Sequence, residues 1–503
     1  MSQPQRHLTK VPTGINGFDE LALGGLPAGR STLVTGTAGS GKTLFAVEFL
    51  ARGIQRFDEP GVFVTFEENP EDIRTNAASL GFDVEGWEKE GRWAFVDASL
   101  HRTRRAPMLG SYDFGPLIAR IEHAVRKTDA RRVSLDAMGA ILTRFTDVAV
   151  VRDELFRVAS ALDSLGVVSM MTAEKAEESD TTSRHGVEEF VHSNVITLRN
   201  VLEHERRRRT VEILKFRGAP HRTGEWLFAI DPTEGILVLP LAFLPTRHRA
   251  SQVRISSGIP ELDQMCGGGF FQDTLVLLTG PTGAGKTLTC LEYATAAVES
   301  DERCLFYSFD ETREQLGRNA TSWRLDLDAM EKSGNLWVVA KYPEMSSLED
   351  HFSQVRHAIY DFDPARLVID SLSALERVAT PRTLLDFLTS LGSLLRQRDI
   401  TTLLTALPPD RTRNSSTGSA AVEVAGLTDV TIRLHYFEAA GRNQRTISVI
   451  QARGTGHDER VRRVTIDEAG MHIGAPVSGQ PESSSEAEDD RGVRTDHDED
   501  PTP

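Results

Sequence analysis

Cysteine is scarce: Cys266, Cys290 and Cys304 are the only three in 503 residues, and no CxxC pairing joins them. That argues against a disulfide framework or a cysteine zinc site and fits a reducing cytoplasm. No run of about 18 apolar residues occurs, and the opening MSQPQRHLTK has no apolar core after its basic residues. Neither a membrane span nor a secretion signal is expected. A broad excess of positive charge is missing too. The formal net charge is −16, of which residues 475–503, with nine acids against two arginines, carry −7 and the body −9. Such a body lacks the basic field of a dedicated nucleic-acid binder, so nucleic acid is not an expected partner. Lysine is rare, nine of 57 basic residues, which makes each lysine position informative.

What is present fits a folded chain: 39% hydrophobic, 26% charged and 7% aromatic residues supply real cores. At roughly 100–200 residues per domain, the length implies two to four domains. Self-similarity narrows this to two. Thr13-Gly14-Ile15, with Phe18, Asp19 and Leu21, returns as Ser257-Gly258-Ile259, with Leu262, Asp263 and Met265. The offset is 244 there and at Gly36 and Gly280, then 243, 234 and 236 further on, as loops change length. A period this long means duplication of a whole domain, over residues 1–245 and 246–474.

Each copy alternates strands and helices. Thr32–Thr35 and Leu275–Thr279 enter glycine-rich loops followed by helical stretches Lys42–Arg56 and Lys286–Glu299. Gly61–Phe66, Cys304–Phe309, Arg132–Leu135 and Arg366–Ile369 are compact enough for buried parallel strands. The fold class is therefore α/β, with mostly parallel sheets covered by helices. Residues 475–503, rich in Ser, Glu, Asp and Pro, have little to bury and read as a disordered acidic tail.

Both Gly36-Thr37-Ala38-Gly39-Ser40-Gly41-Lys42-Thr43, continued by Leu44, and Gly280-Pro281-Thr282-Gly283-Ala284-Gly285-Lys286-Thr287, continued by Leu288, match GxxxxGK[ST] between a strand and a helix. The loop amides suit phosphates, the lysines suit the β and γ oxygens of ATP, and Thr43 and Thr287 suit Mg²⁺. Asp136 and Asp370 end apolar strands at the edge that faces a nucleotide, where they suit the metal. The pairs Glu67-Glu68 and Asp310-Glu311 close the next strand and are candidates to orient or deprotonate the attacking water or hydroxyl; Asp310 is also a candidate metal ligand. Near the ends, Lys215 and Arg217 in the first copy become Gln451 and Arg453 in the second. If these strands reach a neighbouring subunit, Arg217 and Arg453 are candidate arginine fingers. Arg206–Arg209, flanked by Glu205 and Glu212, reads as an interface or solvated face.

With VFVTFEENPEDIRTNA, VRDELFRVASAL, SRHGVEEFVHSNVITLRNVLEHERRRRTVEILKFRGAPH and RNATSW, the chain resembles the KaiC family of circadian-clock ATPases over about residues 8–474. The resemblance implies two tandem RecA-like P-loop domains and stacked six-membered rings with ATP between subunits. It also implies an ATPase in the first domain, a Ser/Thr autokinase in the second, and signalling partner proteins. It marks Glu67 as the first-domain catalytic acid, and Ser79, Lys215, Phe216, Arg217 and His221 as nucleotide contacts. In the second copy it points to Asp310, Trp323, Arg445, Arg453 and Thr455. The chain departs from the family where Ala425, Gly426 and Leu427 precede Thr428-Asp429, leaving no hydroxyl at the usual phosphosites, and where Ala420 takes the upstream position. Ser415, Ser416, Thr417 and Ser419 are the remaining nearby hydroxyls. The leading expectation is an oligomeric ATPase switch. The alternatives are an autokinase with a relocated target, a RecA-like DNA motor and a non-hydrolysing scaffold.

Overall fold

The computed structural model describes residues 9–98, 114–138, 148–175, 192–203, 206–239, 251–408, 420–439 and 442–477. In the first copy the strands are β1 (Lys10–Val11), β2 (Leu26–Pro27), β3 (Thr32–Gly36), β4 (Gly61–Thr65), β5 (Trp93–Asp97), β6 (Arg132–Asp136), β7 (Val168–Glu174), β8 (Asn194–Glu203), β9 (Arg206–Phe216), β10 (Glu225–Asp231) and β11 (Gly235–Val238). The second copy has β12 (Arg254–Ile255), β13 (Phe270–Phe271), β14 (Leu275–Thr279), β15 (Cys304–Ser308), β16 (Leu336–Ala340), β17 (Arg366–Asp370), β18 (Thr401–Ala406), β19 (Val430–Ala439), β20 (Arg442–Ala452), β21 (Arg462–Asp467) and β22 (Gly470–Pro476). The expected strands form, β14 with the expected ends and the others with one end shifted by a residue. β6 and β17 extend to include Asp136 and Asp370, whereas β4 and β15 stop one residue earlier than their apolar runs.

Two nine-stranded sheets result, β11-β10-β9-β8-β3-β7-β6-β4-β5 and β16-β15-β17-β18-β14-β19-β20-β21-β22. In each, six parallel strands, rich in apolar and β-branched residues and mostly buried as a sheet covered on both faces requires, are completed on one side by three antiparallel strands. They are tandem α/β domains of RecA-like type. β22 runs to Pro476, which pairs with Arg462, so regular structure continues two residues into the stretch read as tail. Residues 478–503 and the hydroxyls of Ser415, Ser416, Thr417 and Ser419 lie outside the described residues. No helix among the described residues is long and apolar enough to cross a membrane.

A buried arginine opens the strand that ends at each aspartate. Arg132 has no exposed side-chain surface. It meets Glu59 at 2.6 Å, donates to the carbonyls of Pro12, Thr13 and Phe49, and lies over the rings of Phe49 and Phe57. Arg366 repeats this with Glu302, the Ser256 carbonyl and the Tyr293 ring. A guanidinium with several donors tolerates burial only where each is answered, so the pair fixes the N-terminal segment on the helix that follows the P-loop. The two copies also touch. Asp231 accepts the Ser353 hydroxyl, Arg356 bridges to Glu234 at 2.6 Å, and Leu227, Leu237 and Leu239 share an apolar cluster with Leu348 and Phe352.

Helices Lys42–Phe57 and Lys286–Glu299 are tied to the far edge of their sheets by one carboxylate each. Glu48 accepts the Ile236 N–H and Glu292 the Met471 N–H, both at 2.7 Å. Burial pushes each carboxyl up to about 7. Glu48 is answered by Arg52 at 3.2 Å, while the second copy has Ala296 at the matching position. Because the folded value is raised above the ordinary glutamate value of 4.5, the folded state favours the protonated carboxyl. Stability is thus undiminished below about pH 4.5 and falls as pH rises toward 7. Replacing Glu292 with Gln keeps an acceptor for Met471 and removes this loss. At pH 8 the variant is expected to be more stable by about 1–3 kcal/mol, with the gain vanishing near pH 4.5, as measured by unfolding midpoints across pH.

Candidate functional site

β3 runs straight into the Gly36–Thr43 loop. A side chain at Gly36 would place its Cβ 2.4 Å from the Leu198 carbonyl oxygen, so the backbone of β8 leaves room only for glycine. Gly41, the N-cap of helix Lys42–Phe57, has φ 96°, and its twin Gly285 has φ 114°. Neither helix start is capped by a side chain. The first-turn amides therefore face the loop's interior, the arrangement that takes an anion. Lys42 Nζ donates to the Thr37 carbonyl at 2.7 Å, and Lys286 Nζ donates to the Gly280 and Pro281 carbonyls at 2.7 and 3.2 Å. Burial lowers the Lys286 ammonium below the ordinary lysine value, against the pull of Asp370 and Asp310.

Asp136, 3% exposed, is clasped from two sides: Thr43 donates to Oδ2 at 2.9 Å and Thr172 to Oδ1 at 2.5 Å. Thr287, at 2.8 Å, and Thr405 hold Asp370 in the same way. Desolvation pushes both carboxyls up, and the threonine hydroxyls oppose it. A buried anion under that penalty, beside a hydroxyl and an amine, suits a divalent cation, so these residues fit Mg²⁺. Sequence reasoning found the aspartates and the P-loop threonines but missed Thr172 and Thr405. They recur at nearly the offset of the aspartates and could have been found from it.

Glu67 is exposed and Glu68 half-buried at the same edge. Burial raises both; Glu174 and Asp136 add to the effect at Glu67, and Asp136 at Glu68. The Phe66 N–H donates to the Asp136 carbonyl at 2.8 Å, which brings the acids beside the metal-fitting carboxylate. In the second copy Asn319 donates to Glu311 at 2.9 Å, and burial raises that carboxyl as well. Asp310 accepts the Ser371 hydroxyl at 2.5 Å and faces Arg377 at 3.7 Å. Ser79 caps the far end of helix Pro70–Ala78, with its hydroxyl donating to the Asn76 carbonyl at 2.7 Å. Trp323, at the end of helix Arg313–Ser322, packs half-buried against the second core, as Leu44 does against the first, while Leu288 is buried outright.

The remaining candidates divide between the two edges of the sheet. Phe216 pairs with Asn194, and Asn194 with Thr32 at the start of β3, so Lys215, Phe216 and Arg217 lie at the edge opposite their own P-loop. The Arg217 N–H donates to the Ser193 carbonyl at 3.1 Å; its guanidinium is at the exposed end of the strand. His221 packs on Phe216 with ring centroids 5.3 Å apart. Arg453 and Thr455 follow β20 at the corresponding edge, where Arg453 donates to the Gly426 carbonyl at 2.8 Å and Thr455 accepts from Arg254 at 2.7 Å. Arg445 is different: its Nε donates to the Gly283 carbonyl at 3.2 Å, on its own P-loop. Arg207 and Arg208 face the second copy across a cleft of about 670 Å³ that Ser347, Glu349, Arg377 and Thr380 also line.

A family model described as "ATPase: KaiC" matches residues 11–242 and 255–478. The chain is 48% identical over 491 residues to "Circadian clock protein KaiC3" of Synechocystis sp., covering 96% of this chain and 97% of that protein. It is 44% identical over 467 residues to "Circadian clock oscillator protein KaiC" of Prochlorococcus marinus, covering 92% of each. The protein of that description from Synechococcus elongatus is 44% identical over 469 residues, covering 93% of this chain and 89% of its own length.

Proposed function

The chain belongs to the KaiC family of ATPases, and from that premise we propose that it is a Mg²⁺-dependent ATP phosphohydrolase working in the cytoplasm as a homohexameric ring that serves as a signalling or timing switch. Residues 1–245 and 246–474 are taken as its two ATPase domains, with an acidic tail beyond. The observation that carries this reading is the division of charged groups between opposite sheet edges. A five-residue strand spans about 17 Å, so Lys215 and Arg217 are too far from the P-loop of their own chain to meet its phosphates. They serve the next subunit's nucleotide in a head-to-tail ring.

In the turnover we infer, the loop amides and Lys42 bind the β and γ phosphates. Thr43 and Asp136 in the first site, and Thr287 and Asp370 with Asp310 in the second, would hold Mg²⁺, which when bound would neutralise phosphate charge. Glu67, with Glu68 beside it, takes a proton from the attacking water. The water oxygen bonds to the γ-phosphorus, the bridging P–O bond breaks with its electron pair leaving on ADP, and the proton passes to the released phosphate. Arg217 and Lys215 stabilise the charge that develops, while Ser79, Phe216 and His221 line the nucleotide. In the second site Asp310 and Glu311 act as the acids, Arg445 contacts the nucleotide from its own chain, and Arg453, Thr455 and Trp323 complete the pocket. Gln451 in place of a lysine makes that site slower.

Hydrolysis is favoured over autophosphorylation because the Thr428 hydroxyl, the one that remains beside Asp429, is buried at 1% exposure and donates to the Ala425 carbonyl at 3.1 Å. After incubation with ATP and Mg²⁺, intact-mass measurement is expected to find the chain unphosphorylated while phosphate is released; stoichiometric phosphorylation would instead establish the kinase. The shared site is tested by mixing. With Lys286→Ala in every chain, Lys42→Ala and Arg217→Ala are each expected to lower phosphate release by about 100-fold or more. Rings reassembled from equal amounts of both should regain about a quarter of the parent rate, since random mixing completes one interface in four. No recovery in verified mixed rings would contradict the trans assignment.

A further inference from the structure

The two sites differ in how their acid is held. In the second copy Ser371 follows Asp370 directly, and its hydroxyl donates to Asp310 Oδ2 at 2.5 Å. Ser371 is 4% exposed, so this hydroxyl is fixed by its surroundings. The other oxygen, Oδ1, faces Arg377 Nη1 at 3.7 Å, and Arg377 Nε is anchored on Glu344 at 3.0 Å. In the first copy the residue after Asp136 is Ala137, which has no hydroxyl to give. Among the described residues no side-chain hydrogen bond reaches the Glu67 carboxylate, which is also one methylene longer. The duplication thus carries a paired change: a shorter acid with a tether in one site, a longer acid without one in the other.

We propose that Ser371, with Arg377 alongside, is a positioning residue that tethers Asp310 and so slows the second site relative to the first. This rests on the reading of Asp310 as the second site's acid. A water oriented by Oδ2 has to share that oxygen with a buried hydroxyl that already takes one of its lone pairs and weakens it as a proton acceptor, and a side chain one methylene shorter cannot turn to offer its oxygens freely without losing that bond. Glu67 has neither restraint. The tether acts on the turnover step and leaves the P-loop, Lys286 and the nucleotide contacts unchanged, so its removal alters kcat and spares KM.

The test uses the full-length chain with Lys42→Ala, so that the second site alone turns over. Phosphate release that Lys286→Ala and Asp310→Asn both abolish, with the affinity of the Asp310→Asn ring for MgATP kept within about twofold, establishes the site and its acid rather than a lost metal holder; release that survives Asp310→Asn refutes that reading itself. Given that dependence, Ser371→Ala is expected to raise kcat roughly three- to tenfold, the equivalent of one hydrogen bond, with KM for ATP within about twofold. Ser371→Thr, which keeps the hydroxyl, should return the slow rate. Arg377→Gln, at a more exposed position, should act in the same direction and serves if Ser371→Ala does not fold. An unchanged or lowered kcat in a folded Ser371→Ala or Arg377→Gln ring, while Asp310→Asn still abolishes turnover, would overturn the proposal.

Discussion

A carboxylate buried at the end of a β-strand is expensive unless its lone pairs are answered, and in both copies the answer comes from two threonines. One, Thr43 or Thr287, stands in the first turn of the P-loop helix; the other, Thr172 or Thr405, comes from the next strand. This clasp joins loop, helix and sheet at one point. The rest of the edge is built on it: the Phe66 and Phe309 amides hydrogen-bond to the aspartate carbonyls and hold the following acids beside them. At the other end of those strands Arg132 and Arg366 anchor the N-terminal segments. Strand-end chemistry at one edge and a buried guanidinium at the other give each central strand a fixed position and direction.

Because a parallel sheet has two unlike edges, its orientation also sorts the remaining charged groups. Those at the carboxyl edge lie beside the chain's own P-loop, and those at the amino edge lie a strand's length away from it. Duplication followed by divergence then produces two sites with the same frame and different contents. Lysine becomes glutamine at 451, glutamate becomes aspartate at 310, and alanine becomes serine at 371. Each change leaves the clasp intact and alters a group around it. The copies are joined through the turn that follows β10, where Glu234 accepts Asn16 and the second copy's Arg356, while its carbonyl accepts Arg52 from the first P-loop helix. The first P-loop helix is therefore one residue removed from the second copy's surface.

Much of this was legible in the sequence, and the part that was not shares a physical cause. The P-loops, the strand-end aspartates and the acid pairs announce themselves because a local pattern of glycines, an apolar strand and a polar stop fixes their chemistry. The threonines at 172 and 405, the buried arginines and the Glu48 and Glu292 ties depend on partners far along the chain, as with Glu48 and Ile236, and no local periodicity reports them. Arg445 is instructive. The family resemblance grouped it with Arg453, but strand register puts it on its own P-loop, since β20 runs from one edge of the sheet to the other between them. Likewise, Arg206–Arg209 read from the sequence as an interface or solvated face and lie in β9, while the cleft that Arg207 and Arg208 share with the second copy follows only from the packing of the two copies.

The central claim is that each nucleotide site is divided between two subunits. Its most direct test is a structure of the assembled ring with Mg²⁺ and a non-hydrolysable ATP analogue. The account predicts the analogue's phosphates between Lys42 of one subunit and Arg217 of the next, and between Lys286 and Arg453 in the second tier, with Asp136 and Asp370 on the metal side. An analogue enclosed by residues of a single chain, with Arg217 and Arg453 facing solvent, would contradict it.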